Sequence, residues 1–253
     1  MNDISSFEKL CITHWGKPER SSSQIFDPKI KRIQDFVEFS SLSNNLKAHI
    51  AEKLIRESLS IIGRMTDSGD VNWYIYHFAK ELTGIDKLID GRRLYPLKAA
   101  LLLVREQAPS FSYDKGLPED LSIIFKGGSS LATSYLLPQL EYFFRIKSRY
   151  TDENGIIIKE IPPQLIYKLK NYSDQNLEKG KRINQINITF LTFLYRNTTS
   201  LAKRLRVLER RLFISKRLKR IRNPMHHGEL SDILAEGQFY ALLLAMFYYS
   251  ENN

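Results

Sequence analysis

The sequence predicts a mostly α-helical protein. Three observations carry that reading: apolar residues recur at helical spacing, the pattern persists over the long stretch Lys181–Arg222, and a single short segment reads as β. Leu46, Ile50, Leu54, Leu59 and Ile62 form the first apolar stripe. Gly69–Gly91 carries Trp73, Tyr74, Tyr76 and Phe78 ahead of a Gly-punctuated turn, which predicts a shorter helix with loops on either side. Leu94–Gln107 is apolar enough to form a largely buried helix. Pro109–Pro118 is rich in breakers and has no period, so it marks a boundary. An N-terminal helical region of unassigned role (1–118) and a C-terminal up-and-down helical bundle (119–253) are expected on either side.

In the second half, Gly127-Gly128-Ser129-Ser130 reads as a turn and N-cap feeding a helix from about Ser130 to Tyr150. The Gly-Lys-Ser/Thr ending of a phosphate-binding loop is missing there. Residues 151–163 (TDENGIIIKEIPP) predict a short β-hairpin insertion or a solvent-facing excursion. A final helix is expected from about Met225 or Ser231 to Tyr249. The aromatic clusters Trp73–Phe78 and Phe239–Tyr249 read as core. Nothing repeats internally.

Composition narrows the function. With 253 residues, 43 % hydrophobic and 26 % charged, the chain can bury a core without staples. Its one cysteine, Cys11, excludes an internal disulfide and a multi-cysteine zinc site. His14, His49 and His77 have no metal-ligand spacing, so neither metal nor cofactor is expected. Met1–Cys11 lacks the apolar core of a secretory signal, and the longest apolar run, Phe239–Tyr249, is too short to span a bilayer. A cytoplasmic protein without a membrane partner is expected, and the sequons at Asn171, Asn187 and Asn197 then read as coincidence.

The net charge of +10 is concentrated. Lys203–Arg222 holds ten basic residues and one acid, Glu209, and so carries +9, leaving +1 for the rest. Such a segment attracts polyanions, with RNA, DNA and anionic lipid as candidates. Read as one helix, it turns Leu201, Leu205, Leu208 and Leu212 to the core and Lys203, Arg206, Arg210, Arg217 and Arg220 outward. A solvated basic face has the same pattern, so the face by itself specifies no chemistry. Arg222 differs: it falls within about 40° of the apolar stripe, where a guanidinium is costly unless an anion meets it.

Asn223-Pro224-Met225-His226-His227-Gly228 follows at once. Pro224 is suited to the first position of a new helix, with Asn223 as its N-cap. A break at that point brings both histidines into the first turn of the next helix, where either ring approaches the guanidinium. Arginine, imidazole and a helix N-terminus together suit a phosphate.

Arg222-Asn223-Pro224-Met225-His226-His227-Gly228 resembles the R-N-x-x-x-H-G form of the R-x(4–6)-H signature of HEPN domains (higher eukaryote and prokaryote nucleotide-binding). The helical surroundings are similar as well, including the segment LLPQLEYFFRIKSRY with Glu141 and Arg145 on one face. The resemblance covers roughly 125–253. It implies a HEPN-like helical bundle and a metal-independent endoribonuclease, with Arg222 and His227 as the catalytic pair and Asn223 as the assisting polar residue. His226 duplicates the histidine and can share or replace that role. By the same resemblance, RNA is cut by attack of its own 2′-OH to leave a 2′,3′-cyclic phosphate. Two chains pair as a homodimer, the basic helix holds the RNA backbone, and the setting is toxin activity or phage defence, with an antitoxin or regulatory protein as a further partner. Many HEPN domains keep the fold without cleaving RNA, so a noncatalytic nucleic-acid-binding or interaction module is the alternative. Glu229 stands where some HEPN toxins carry a tyrosine that receives AMP, so the resemblance does not extend to that control. Glu141 and Arg145 also fit an ordinary i,i+4 ion pair.

Overall fold

The computed structural model describes residues 39–60, 69–86, 88–89, 91–107, 119–226 and 234–252; of residues 57–60, 69–73, 106–107, 119–130, 221, 223–226 and 234–236 it describes the backbone alone. Among the described residues the chain forms nine α-helices and no strand. These are α1 (Asn44–Ser60), α2 (Gly69–Gly84), α3 (Gly91–Gln107), α4 (Glu119–Ser148), α5 (Pro163–Lys170), α6 (Ile186–Arg196), α7 (Ser200–Leu212), α8 (Ile214–His226) and α9 (Leu234–Glu251). None of them is long and apolar enough to cross a membrane.

The architecture is organised around α9. A helix that is apolar on every side has to be enclosed, and residues Phe239–Phe247 are all buried. Helices α1, α2, α3, α4 and α7 pack around it. Asn44 at the start of α1 donates to the Asn252 carbonyl just past α9, so these two helices run antiparallel. Helices from both sides of residue 118 therefore share one apolar cluster, and the Pro109–Pro118 boundary, itself outside the described residues, does not divide the chain into separate cores. Leu46, Ile50 and Leu54 of the first predicted stripe are buried, and Ile62 lies outside the described residues.

Gly127-Gly128-Ser129-Ser130 is not a turn. The four residues lie inside the 30-residue helix α4. Each glycine disfavours a helix by about 1 kcal/mol relative to alanine, but α4 as a whole packs against α3, α6 and α9. Phe144 joins this packing, with ring centroids 5.1 Å from Phe190 and 5.6 Å from Phe193. Residues 149–185 carry the chain back so that α6 runs alongside α4 in the same direction: Phe144 meets Phe190 and Phe193, and the Asn197 amide just past α6 donates to the Lys147 carbonyl near the end of α4. Within that return, residues 151–157 make a turn at Asn154-Gly155 secured by isolated bridges, Thr151 with Ile157 and Ile156 with Arg182.

The long pattern Lys181–Arg222 is three helices, not one. Asn197 ends α6 in an extended conformation, and Thr199 caps α7 by accepting from the Ala202 amide. The second break is at Phe213, which adopts the left-handed conformation (φ 50°, ψ 48°). An L-residue disfavours that conformation by roughly 1–2 kcal/mol. Phe213 closes α7, its amide donating to the Glu209 carbonyl, and opens α8, its own carbonyl accepting from the Arg217 amide. Glu209 locks the joint: its carboxylate accepts from the Ser215 amide (2.7 Å) and the Ser215 hydroxyl (2.5 Å). The expected break at Asn223-Pro224 is absent, because α8 continues through Pro224 to His226. Pro224 brings no amide to the helix ladder, so the Arg220 carbonyl one turn back receives no bond from it.

Candidate functional site

Three segments meet around the Glu141–Arg145 pair. Helix α4 presents Glu141 and, one turn on, Arg145; the 149–185 return brings Arg182; α8 brings Arg222. The Arg145 guanidinium donates to Glu141 Oε1 at 2.6 Å, so the i,i+4 pair is present. The other oxygen, Oε2, lies 3.7 Å from Arg222 Nη2. Arg222 Nη1 donates to the Asn184 carbonyl just before α6. Sequence reasoning demanded an anionic partner for Arg222, and Glu141 is that partner. The signal lay in the chemistry of a guanidinium near an apolar stripe; the identity of the acid required the packing of both α4 and α8 against α6.

The site is electropositive. One buried carboxylate pairs with two guanidiniums, those of Arg145 and Arg222, and a third, that of Arg182, acts on Arg145. Burial lowers the Arg145 pKa from its ordinary value; Glu141 opposes the shift, while Arg182 and Arg222 add to it. Gly155 makes the arrangement sterically feasible. It sits at φ 82°, and a Cβ there would lie 2.9 Å from Arg145 Nε and 3.1 Å from the Ile183 carbonyl oxygen. Arg182 is tied to the same turn through a 3.1 Å bond from Nε to the Asn154 carbonyl.

Beside Arg222 an open cavity of about 120 Å³ is lined by Asn184, Gln185, Ile186, Lys219 and Arg222. Its wall includes the N-terminus of α6, where Gln185 makes no side-chain capping bond. The positive end of the α6 dipole, the Lys219 ammonium and the Arg222 guanidinium are therefore arranged about one space. Arg222 keeps about a quarter of its side-chain surface exposed, so the cavity is open to an oxyanion from solvent. Sequence reasoning missed Arg182, Asn184, Lys219 and Gly155 at this place.

The remaining predicted residues divide. His227 lies outside the described residues, and Asn223 and His226 are placed by backbone only, in the last turn of α8. Lys203, Arg210 and Arg220 are exposed. Arg206 is instead turned to the end of α6, donating to the carbonyls of Leu194 (2.7 Å from Nη2) and Asn197. Arg217 is half-buried, its guanidinium 5.3 Å from the Phe239 ring centroid. Arg204, which the outward face did not include, pairs with Glu52 of α1 at 2.8 Å. Among the described residues no group of three or more His, Cys, Asp or Glu is placed to hold a metal ion. No family model, curated protein or solved structure matches the chain.

Proposed function

We propose that the chain is a HEPN-type, metal-independent endoribonuclease whose reacting groups are Arg222 and His227, with Asn223 assisting and His226 beside them. The observation that supports this reading most is the position of Arg222: partly exposed, at a cavity with excess positive charge, four and five residues before two histidines. RNA supplies its own nucleophile. The 2′-oxygen bonds to phosphorus as its proton passes to a base; the bond from phosphorus to the 5′-oxygen breaks, and that oxygen takes up a proton. The products are a 2′,3′-cyclic phosphate and a 5′-hydroxyl. An imidazole titrates in the range this proton traffic needs. The Arg222 guanidinium donates to the non-bridging oxygens as negative charge accumulates on them, and Glu141 holds it in place. The reading carries with it a homodimer that joins two motifs at one cleft, a cytoplasmic location, and a toxin or phage-defence role under an antitoxin or regulatory protein.

A second reading rests on a specific observation. Arg222 is already engaged by Glu141 and by the Asn184 carbonyl, which suits a noncatalytic nucleic-acid-binding module whose arginine serves the fold. End-group analysis separates the two. Incubating the full chain with RNA in EDTA is expected to yield cyclic-phosphate termini, abolished in Arg222→Ala and His227→Ala; His226→Ala shows which imidazole works. Salt-dependent RNA binding without products supports the second reading and defeats the first.

A further inference from the structure

The elbow between α7 and α8 combines features that packing alone does not require. Phe213 is 58 % exposed, though it sits in a conformation that disfavours any side chain. An exposed left-handed position would suit glycine or asparagine better. The phenylalanine therefore costs folding energy while leaving most of its apolar surface in water. Strain of this kind at an exposed residue points to a use for the side chain.

Its surroundings indicate that use. On α7, Lys203, Val207, Arg210 and Arg211 are all exposed and fall within about 60° of one another's mean direction, opposite the buried leucines. On α8, Lys216, Lys219 and Arg220 form a second exposed cationic face. The Lys216 ammonium lies 5.2 Å from the centroid of the Phe213 ring. Glu209, the single acid of the whole basic segment, is withdrawn into the joint by Ser215. Its charge is spent on fixing the elbow, so the cations beside the ring have no acid of their own segment to answer them.

We infer that the Phe213 elbow binds single-stranded RNA, the ring stacking on one nucleobase while Lys203, Arg210, Arg211, Lys216 and Arg220 hold phosphates on either side. An aromatic face accepts any base, and flanking cations track the backbone; together they make a sequence-tolerant single-strand site. A duplex hides its base faces, so single strands are favoured. Anionic lipid answers the charge less well. The apolar faces of α7 and α8, Leu201, Leu205, Leu208, Ile214 and Leu218, are buried in the protein, which leaves one ring and one half-exposed valine to enter a bilayer. The inference deepens the reading of the chain as RNA-cleaving by naming the strand state of its substrate, and it takes from that reading only the choice of RNA as polyanion.

The test uses the full chain and a fluorescent 2′-O-methyl oligouridine, which cannot be cut by 2′-OH attack, with binding followed by anisotropy across a salt series. Phe213→Gly is expected to weaken binding about tenfold while unfolding at or above the wild-type temperature, because glycine relieves the left-handed strain. Phe213→Trp is expected to bind at least as tightly as wild type, and neither variant should change the salt slope, since no phosphate contact is touched. Unchanged affinity in Phe213→Gly overturns the inference. So does equal or tighter binding of a duplex, or Phe213-dependent binding to phosphatidylserine vesicles without binding to the oligouridine. Phe213-dependent binding in a chain that never yields cyclic-phosphate ends upholds the elbow and defeats the nuclease.

Discussion

Glu141 is shared by two arginines from different helices: Arg145 takes Oε1 at 2.6 Å and Arg222 approaches Oε2 at 3.7 Å. The carboxylate side chain is 8 % exposed, against 13 % for Arg145 and 24 % for Arg222. The first pair is therefore a buried one and the second lies at its edge. A group at the edge can exchange its partner for an incoming oxyanion without abandoning a buried charge.

That gradient fixes the cost of removing each member. Glu141→Ala leaves the Arg145 guanidinium buried without its carboxylate and is expected to destabilise the fold by about 3 kcal/mol. Arg222→Ala gives up a longer, more exposed pair and is expected to cost about 1 kcal/mol or less. Urea unfolding of the two variants checks the order. Equal losses would mean that Arg222 is as much a structural residue as Arg145.

The basic segment makes a second prediction, because its arginines do different jobs. Arg206 closes the last turn of α6 through the Leu194 and Asn197 carbonyls. Arg206→Ala should therefore lower stability by about 1–3 kcal/mol and leave the salt dependence of RNA binding as it was. Arg210→Ala should do the reverse: no loss of stability, and a slope of log K against log salt that is shallower by about 0.7. Anisotropy over a salt series, alongside thermal unfolding, distinguishes them. A shallower slope in Arg206→Ala would show that its guanidinium leaves the helix end for phosphate.

Most of the fold was legible because its signals are local. An apolar run with no polar side, Phe239–Tyr249, has to be enclosed, and it forms the centre of the bundle. Leu201, Leu205 and Leu208 are buried as their spacing requires. The joints were not legible. Phe213 carries no breaker signal, and the bond that ends the helix there comes from Glu209, which in sequence looks like one acid in a basic face. Pro224 carries a strong breaker signal where the helix does not yet stop. In the site, chemistry called for an anion near Arg222, but which acid answers depends on α4 and α6 running side by side, and periodicity within one helix says nothing about its neighbours.

Gly155 ties the turn to the site and gives a third prediction. Its φ of 82° and the 2.9 Å approach of Arg145 Nε to a Cβ position both exclude a larger residue. Gly155→Ala must distort the turn or displace Arg145 from Glu141, and the Ile183 carbonyl at 3.1 Å prevents relief on the other side. The expected loss is about 2 kcal/mol or more, accompanied by reduced RNA cleavage. Gly180→Ala is the control for a positive φ alone, because nothing lies within 4 Å of its Cβ position. If both cost the same, the contact with Arg145 contributes nothing.

The last prediction concerns pH and a histidine of α2. His77 packs with its ring centroid 5.5 Å from Phe39 and 5.2 Å from Tyr76. Burial lowers its pKa below the ordinary value of 6.5, Lys80 lowers it further, and Glu81 opposes them. The folded chain thus holds His77 neutral where the unfolded chain has begun to protonate it. In that interval the unfolded state binds more protons, so stability rises with pH. As pH falls from about 7 through 6.5 and onward to the folded-state pKa, His77 is expected to draw stability away. His77→Gln removes the titrating group while keeping a polar side chain of similar reach. Urea midpoints measured at several values between about pH 7.5 and 5 should decline more steeply for wild type than for His77→Gln. Parallel declines would show that His77 does not carry the acid sensitivity.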